Sequence, residues 1–109
     1  MARCYLEGCG WEVIAARCRV GRIEIDLIAK QEDVVAFVEV KLRRNKAFGS
    51  PLEALGWSKR RDLSRAAQAW VDRFSGQNNR FRFDVIGVTW GPGRVLLEHV
   101  EDAFRPDWR

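Results

Sequence analysis

The chain has 109 residues, 47% hydrophobic and 31% charged, with a formal net charge of +4. That size and apolar content predict one domain over residues 1–109 and exclude a disordered chain. No apolar run approaches the roughly 18–20 residues that span a bilayer, and Met1–Gly10 lacks the basic-then-apolar order of a signal peptide, so a cytoplasmic protein with no membrane partner is expected.

Residues Ala2–Leu6 read as the end of a helix broken by Gly8 and Gly10. Trp11–Cys18, Arg22–Lys30 and Asp33–Arg43 follow as β-branched and aliphatic strands, the last two turning at Gln31 and Glu32 into an antiparallel hairpin. Ser50, Pro51 and Glu53 then form a capping box, with proline at the first helical position. Leu63, Ala66, Ala67, Trp70, Val71 and Phe74 continue it as one apolar stripe. Gly56 kinks or splits this helix, and Ser75-Gly76 ends it. Phe81–Trp90 and Arg94–Val100 are two further strands, joined by Gly91-Pro92-Gly93. The order predicts an α/β or α+β domain with a sheet of about five strands.

Positive charge gathers in the middle of the chain. Lys41, Arg43, Arg44 and Lys46 form one cluster; Lys59, Arg60, Arg61 and Arg65 form a second around a single acid, Asp62. Such clusters suit phosphate contacts and are equally the pattern of a solvated face. Cys4, Cys9 and Cys18 contain no C-x-x-C pair, so neither a disulfide framework nor a zinc ribbon is indicated. The single histidine, His99, has no nucleophile near it in sequence.

The informative residues are charges inside strands that otherwise read as core. Glu39 and Lys41 share a face by alternation, together with Val35 and Phe37; Val34, Ala36, Val38, Val40 and Leu42 take the other. In the preceding strand Glu24 and Asp26 share a face, opposite Ile23, Ile25 and Leu27. Side-by-side pairing of these strands gathers Asp26, Glu39 and Lys41 in one patch with Glu24 nearby. A surface ion pair is the simplest reading of such a patch and would contribute about 0–1 kcal/mol. Against it stand the apolar neighbours on the same face and the nearly continuous apolar strands, which suggest a sheet covered on both sides. Charges at the edge of a buried sheet must be paired or bind a metal.

Glu24-Ile25-Asp26-Leu27-Ile28-Ala29, Phe37-Val38-Glu39-Val40-Lys41-Leu42-Arg43, Phe83-Asp84-Val85-Ile86 and Asp102-Ala103-Phe104 occur in the order seen in the YraN family of bacterial proteins, which the chain resembles over nearly its whole length. That family is similar to the PD-(D/E)xK nucleases, among them restriction endonucleases and archaeal Holliday-junction resolvases. Here the wider resemblance rests on Asp26 and on Glu39-Val40-Lys41. It implies a restriction-endonuclease-like α/β fold, with a central mixed five-stranded sheet flanked by helices. It also implies a metal-dependent endonuclease acting on DNA, including branched or nicked forms. Two departures stand out. Ile23 occupies a position that is usually glycine, and the glutamate that members carry on the first helix would fall upstream of Met1.

Phosphodiester hydrolysis needs an activated water and charge compensation at phosphate. Mg²⁺ or Mn²⁺ held by Asp26 and Glu39 would supply both, and the resemblance adds the Val40 carbonyl as a third ligand. Lys41 would orient the water or stabilise developing charge. Glu24 and Lys59 are accessory candidates; Arg43, Arg44, Lys46, Arg60 and Arg61 are the expected nucleic-acid contacts. Asp84 reads as structural, paired with a nearby arginine. The alternatives are a non-catalytic nucleic-acid-binding module with the same fold, and an adaptor docking through Trp57, Trp90 or Trp108.

Overall fold

The computed structural model describes residues 1–44, 55–74 and 79–105; Lys46, the capping residues Ser50, Pro51 and Glu53, the stop at Ser75-Gly76 and Trp108 lie outside them. The elements are α1 (Ala2–Gly8), β1 (Glu12–Val20), β2 (Ile23–Gln31), β3 (Val34–Arg43), α2 (Trp57–Phe74), β4 (Arg80–Gly91) and β5 (Arg94–Phe104). The five strands form one sheet in the order β1-β2-β3-β4-β5. All neighbours are antiparallel except β3 and β4. Parallel strands cannot be joined by a tight turn, and the long β3–β4 crossover contains α2.

The sheet separates two apolar layers. On one face α2 lays Leu63, Ala66 and Ala67 against Ile25, Ile28, Val35, Phe37, Phe83 and Val85. On the other, Ala2 and Leu6 of α1 pack with Trp11, Leu27, Ala36, Val38 and Ile86. Coverage of both faces is why the central strands read as nearly unbroken apolar runs. This α/β arrangement, a mixed sheet with a helix on each face, is compatible with a restriction-endonuclease-like fold. No helix among the described residues is long and apolar enough to cross a membrane.

Three details depart from the pattern of the sequence. Phe74, placed in the helical stripe, is exposed; it ends α2 and lies tilted against Trp70, with ring centroids 5.7 Å apart, instead of reaching the sheet. β5 continues past Val100 to Phe104. Its ladder with β4 bulges between Val85↔Val100 and Phe83↔Phe104; there Asp102 adopts φ 48° and donates its N–H to Asp84 Oδ1 at 3.0 Å. A buried carboxylate thus satisfies the backbone where pairing is interrupted. Finally, Ile23, Ile25 and Leu27 do not share a face. Ile23 and Ile25 join the α2 layer and Leu27 the α1 layer. Alternation breaks at Asp26, across from Arg17, a non-glycine residue at φ 52°.

Candidate functional site

Asp26 lies where β2 leaves β3. The β2–β3 ladder runs from Gln31↔Val34 to Leu27↔Val38. Beyond that pair, the Val40 N–H donates to Asp26 Oδ2 at 2.8 Å, so a side chain takes the role of a strand carbonyl. The N–H and C=O of one strand residue point toward the same neighbour. The Val40 carbonyl therefore opens on the strand edge that Asp26 occupies.

Glu39 follows Val35 and Phe37 on the face that α2 covers. It is only 6% exposed. Its Oε2 lies 3.8 Å from Lys41 Nζ and 3.7 Å from Lys59 Nζ. Its Oε1 is buried with no hydrogen-bond partner among the described residues. Burial pushes the Glu39 carboxyl up to about 7, the neighbouring Asp26 charge adds to the rise, and Lys59 and Lys41 partly oppose it. Asp26, Glu39, Val40, Lys41 and Lys59 are thus brought together from β2, β3 and α2.

These residues fit a hard divalent cation. Two neighbouring carboxylates, one with an orphaned buried oxygen, present negative charge and free lone pairs, and a backbone carbonyl opens beside them. Among the described residues no group of three His, Cys, Asp or Glu converges. Mg²⁺ needs none, since it is commonly held by one or two carboxylates and keeps several waters.

The accessory and basic candidates separate. Lys59 reaches Glu39, whereas Glu24 sits beside Asp26 in a cavity of about 380 Å³ and faces Arg17 at 3.8 Å. Arg3, Leu42 and Val88 also wall that cavity. Arg44 and Arg61 are exposed, as a phosphate contact requires. Arg43 is not; it is 8% exposed, because alternation along β3 turns it to the same covered face as Glu39. Arg60 is half-buried, its Nε donating to the Leu55 carbonyl at 3.1 Å.

A second polar centre lies on the α1 face. Asp84, 1% exposed, accepts from Arg82 at 3.0 Å, as an arginine pairing required. Sequence reasoning missed its other partner. His99 Nε2 lies 2.7 Å from Asp84 Oδ2, and Nδ1 lies 3.0 Å from the Tyr5 hydroxyl. A neutral ring with hydrogen on Nε2 donates to Asp84 and accepts from Tyr5. This chain ties α1 to β4 and β5. Its members are far apart in sequence, so no local spacing could reveal it. A further cavity, of about 300 Å³, opens between Val34, Arg80, Phe104 and Arg105 at the other end of β3. Arg80 and Arg105 there already face Asp33 at 3.3 Å and Asp102 at 2.9 Å.

The sequence profile of uncharacterised protein family UPF0102 matches residues 1–88. A UPF0102 protein of Chloroherpeton thalassium is 42% identical over 104 residues, covering 95% of this chain and 76% of its own. One of Nocardia farcinica is 40% identical over 107 residues, 95% and 83% of the two chains. One of Rhodococcus opacus is 41% identical over 105 residues, 95% and 89%. Similarity at this level, along nearly the whole chain, goes with the four motifs noted above: the chain belongs to the UPF0102 family, which is the YraN family.

Proposed function

We propose that this protein is a metal-dependent endonuclease that hydrolyses phosphodiester bonds of DNA, including branched or nicked DNA, in the cytoplasm. The observation that carries the reading is the junction of Asp26 and Glu39, two carboxylates from different strands, with Lys41 and Lys59 both at Glu39 Oε2. A lone buried carboxylate would be an unexplained cost. Paired carboxylates would hold the divalent cation that, with the neighbouring ammonium groups, compensates charge at a scissile phosphate.

Asp26 and Glu39 would hold Mg²⁺ or Mn²⁺, with the Val40 carbonyl beside them. When bound, the metal lowers the pKa of water and polarises the phosphate. Asp26 is held in place by the Val40 N–H, which fixes the carboxylate at the strand edge beside Glu39. Lys41 orients the attacking water and stabilises the negative charge that develops on phosphate. Lys59 brings a second ammonium from α2 to the same carboxylate oxygen and so fixes Glu39 while adding positive charge where the phosphate arrives. Arg44 and Arg61 are the exposed cations that hold the backbone on either side.

The test is cleavage of linear, nicked and four-way-junction DNA with Mg²⁺ or Mn²⁺, with and without chelator, by the wild type, Asp26→Asn and Lys41→Ala. Cleavage is expected from the wild type alone, with metal binding largely retained in Lys41→Ala. Cutting that persists in chelator or in Asp26→Asn refutes the mechanism. Salt-sensitive binding without any cutting assigns the fold a binding role instead.

A further inference from the structure

We infer that Trp57 is a stacking platform for an unpaired nucleobase, so that the strand this protein engages is single-stranded where it meets α2. The inference rests on the nucleic-acid reading above for what the strand leads to, but it concerns binding and has its own readout.

Trp57 is the first residue of α2 and is 81% exposed. A tryptophan so open to water is hydrophobic surface with no packing role. Its ring is nevertheless held. The Arg60 guanidinium lies over it at 5.3 Å and over the Phe104 ring at 5.8 Å. Phe104 in turn stacks on Phe83, with centroids 4.6 Å apart and planes at 19°, and Phe83 is fully buried. Phe83, Phe104, the Arg60 guanidinium and the indole thus follow one another in a column of contacts from the core to the surface. One side of the indole meets a cation and the exposed remainder is open. A nucleobase is the planar group that would extend such a column, and a platform fixed in advance loses little freedom on binding.

The surroundings select a polyanion over an apolar protein surface. Lys59, Arg60, Arg61 and Arg65 follow Trp57 along the helix, and the first turn carries no acid. Cations so early in a helix oppose its dipole, so helix stability does not account for them. An aromatic ring among basic side chains is the chemistry that holds single strands without regard to sequence. Lys59, two residues after Trp57 and on the other side of the helix, reaches Glu39 Oε2, so the indole sits at the end of α2 that adjoins the paired carboxylates. Within an intact duplex each base already has neighbours on both faces. The platform therefore fits flaps, gaps, frayed ends and the unpaired nucleotides of branched substrates.

The experiment measures binding by fluorescence anisotropy in chelator, so that nothing is cut. The probes are labelled oligo(dT), labelled oligo(U) and a blunt duplex, each with the wild type, Trp57→Ala and Trp57→Phe. Urea unfolding of all three proteins confirms that they fold alike. Trp57→Ala should weaken oligo(dT) or oligo(U) binding by about tenfold, within the range that one stacked base contributes. Trp57→Phe should restore most of that loss, and duplex affinity should stay within about twofold for all three, since backbone contacts dominate it. The two oligonucleotides together show whether the unpaired strand is DNA or RNA. Single-strand affinity unchanged in Trp57→Ala overturns the platform, as does an equal loss on the duplex, or no binding to any probe. Self-association lost in Trp57→Ala with oligonucleotide affinity intact also overturns it, in favour of protein docking. Metal-dependent cleavage is scored separately: its absence, with the Trp57 effect on single strands present, refutes the nuclease reading and leaves the platform standing.

Discussion

Replacing Glu39 by glutamine should make the metal-free protein more stable, and the gain should grow with pH. The side chain is 7% exposed, and burial holds its carboxyl at about 7 against an ordinary 4.5. Between those values the folded chain binds a proton that the unfolded chain has released, so stability falls as pH rises. The contribution of the protonated carboxyl is complete below 4.5 and is lost as pH passes through about 7. At about 1.4 kcal/mol for each pH unit between the two values, the loss is on the order of 3 kcal/mol. Glutamine carries no charge at any of these pH values and escapes that loss. Urea unfolding in chelator should show the two proteins nearly equal at pH 4.5 and Glu39→Gln more stable by about 3 kcal/mol at pH 8. Adding Mg²⁺ at pH 8 should stabilise the wild type and not the variant, since only a ligand that binds the folded state shifts unfolding. A variant less stable than wild type at pH 8, or a difference independent of pH, refutes the reasoning.

Asp26→Asn keeps an acceptor for the Val40 N–H and removes a charge. It should abolish metal-dependent cleavage and move the Glu39 carboxyl titration, followed by NMR, to lower pH, because the Asp26 charge helps raise it. Arg44→Ala should leave the melting temperature alone and flatten the salt slope of DNA binding by about one. Arg43→Ala, at a buried position, should lower stability by on the order of 1–3 kcal/mol in the same unfolding assay. Asp84→Ala should destabilise by about 3–5 kcal/mol, because it strands Arg82, His99 and the Asp102 N–H around an emptied buried site; a melt indistinguishable from wild type would remove the structural role of that carboxylate.

The existence and order of all the described elements were legible because each carries its own periodic signal. The apolar runs of β2 and β3, the stripe Leu63-Ala66-Ala67 and the glycine-bearing turn before Arg94 are local facts of the chain. What was illegible is non-local. Asp102 at the β5 bulge has no sequence mark, because its conformation is stabilised by Asp84 on the neighbouring strand. In the sequence Arg43 groups with the exposed nucleic-acid contacts, because basic clusters look alike whether they face water or a covered sheet. Tyr5, His99 and Asp84 meet only once α1 has docked on the face opposite α2.

The candidate site shows why alternation identified the right residues by an incomplete route. Alternation placed Asp26 with Glu24 and placed Glu39 with Lys41, and assumed that paired strands would bring the two sets together. In the structure the pairing stops at Leu27↔Val38, one step short of Asp26 and Glu39. The break in alternation at Asp26 and the end of the ladder with β3 fall at the same point, while β2 stays in register with β1 on its other side. The gap left behind is what lets a carboxylate enter between the strands, accept the Val40 N–H and stand against Glu39. A continuous ladder would fill that space with backbone hydrogen bonds and set Asp26 directly across from Glu39 on one face, with no carboxylate oxygen at the Val40 N–H. The fold thus gives up strand pairing and the favourable ionisation of a buried acid at the same place. Local rules broken together without compensation inside the chain are expected at functional sites, and a cation held between Asp26 and Glu39 would be the missing compensation.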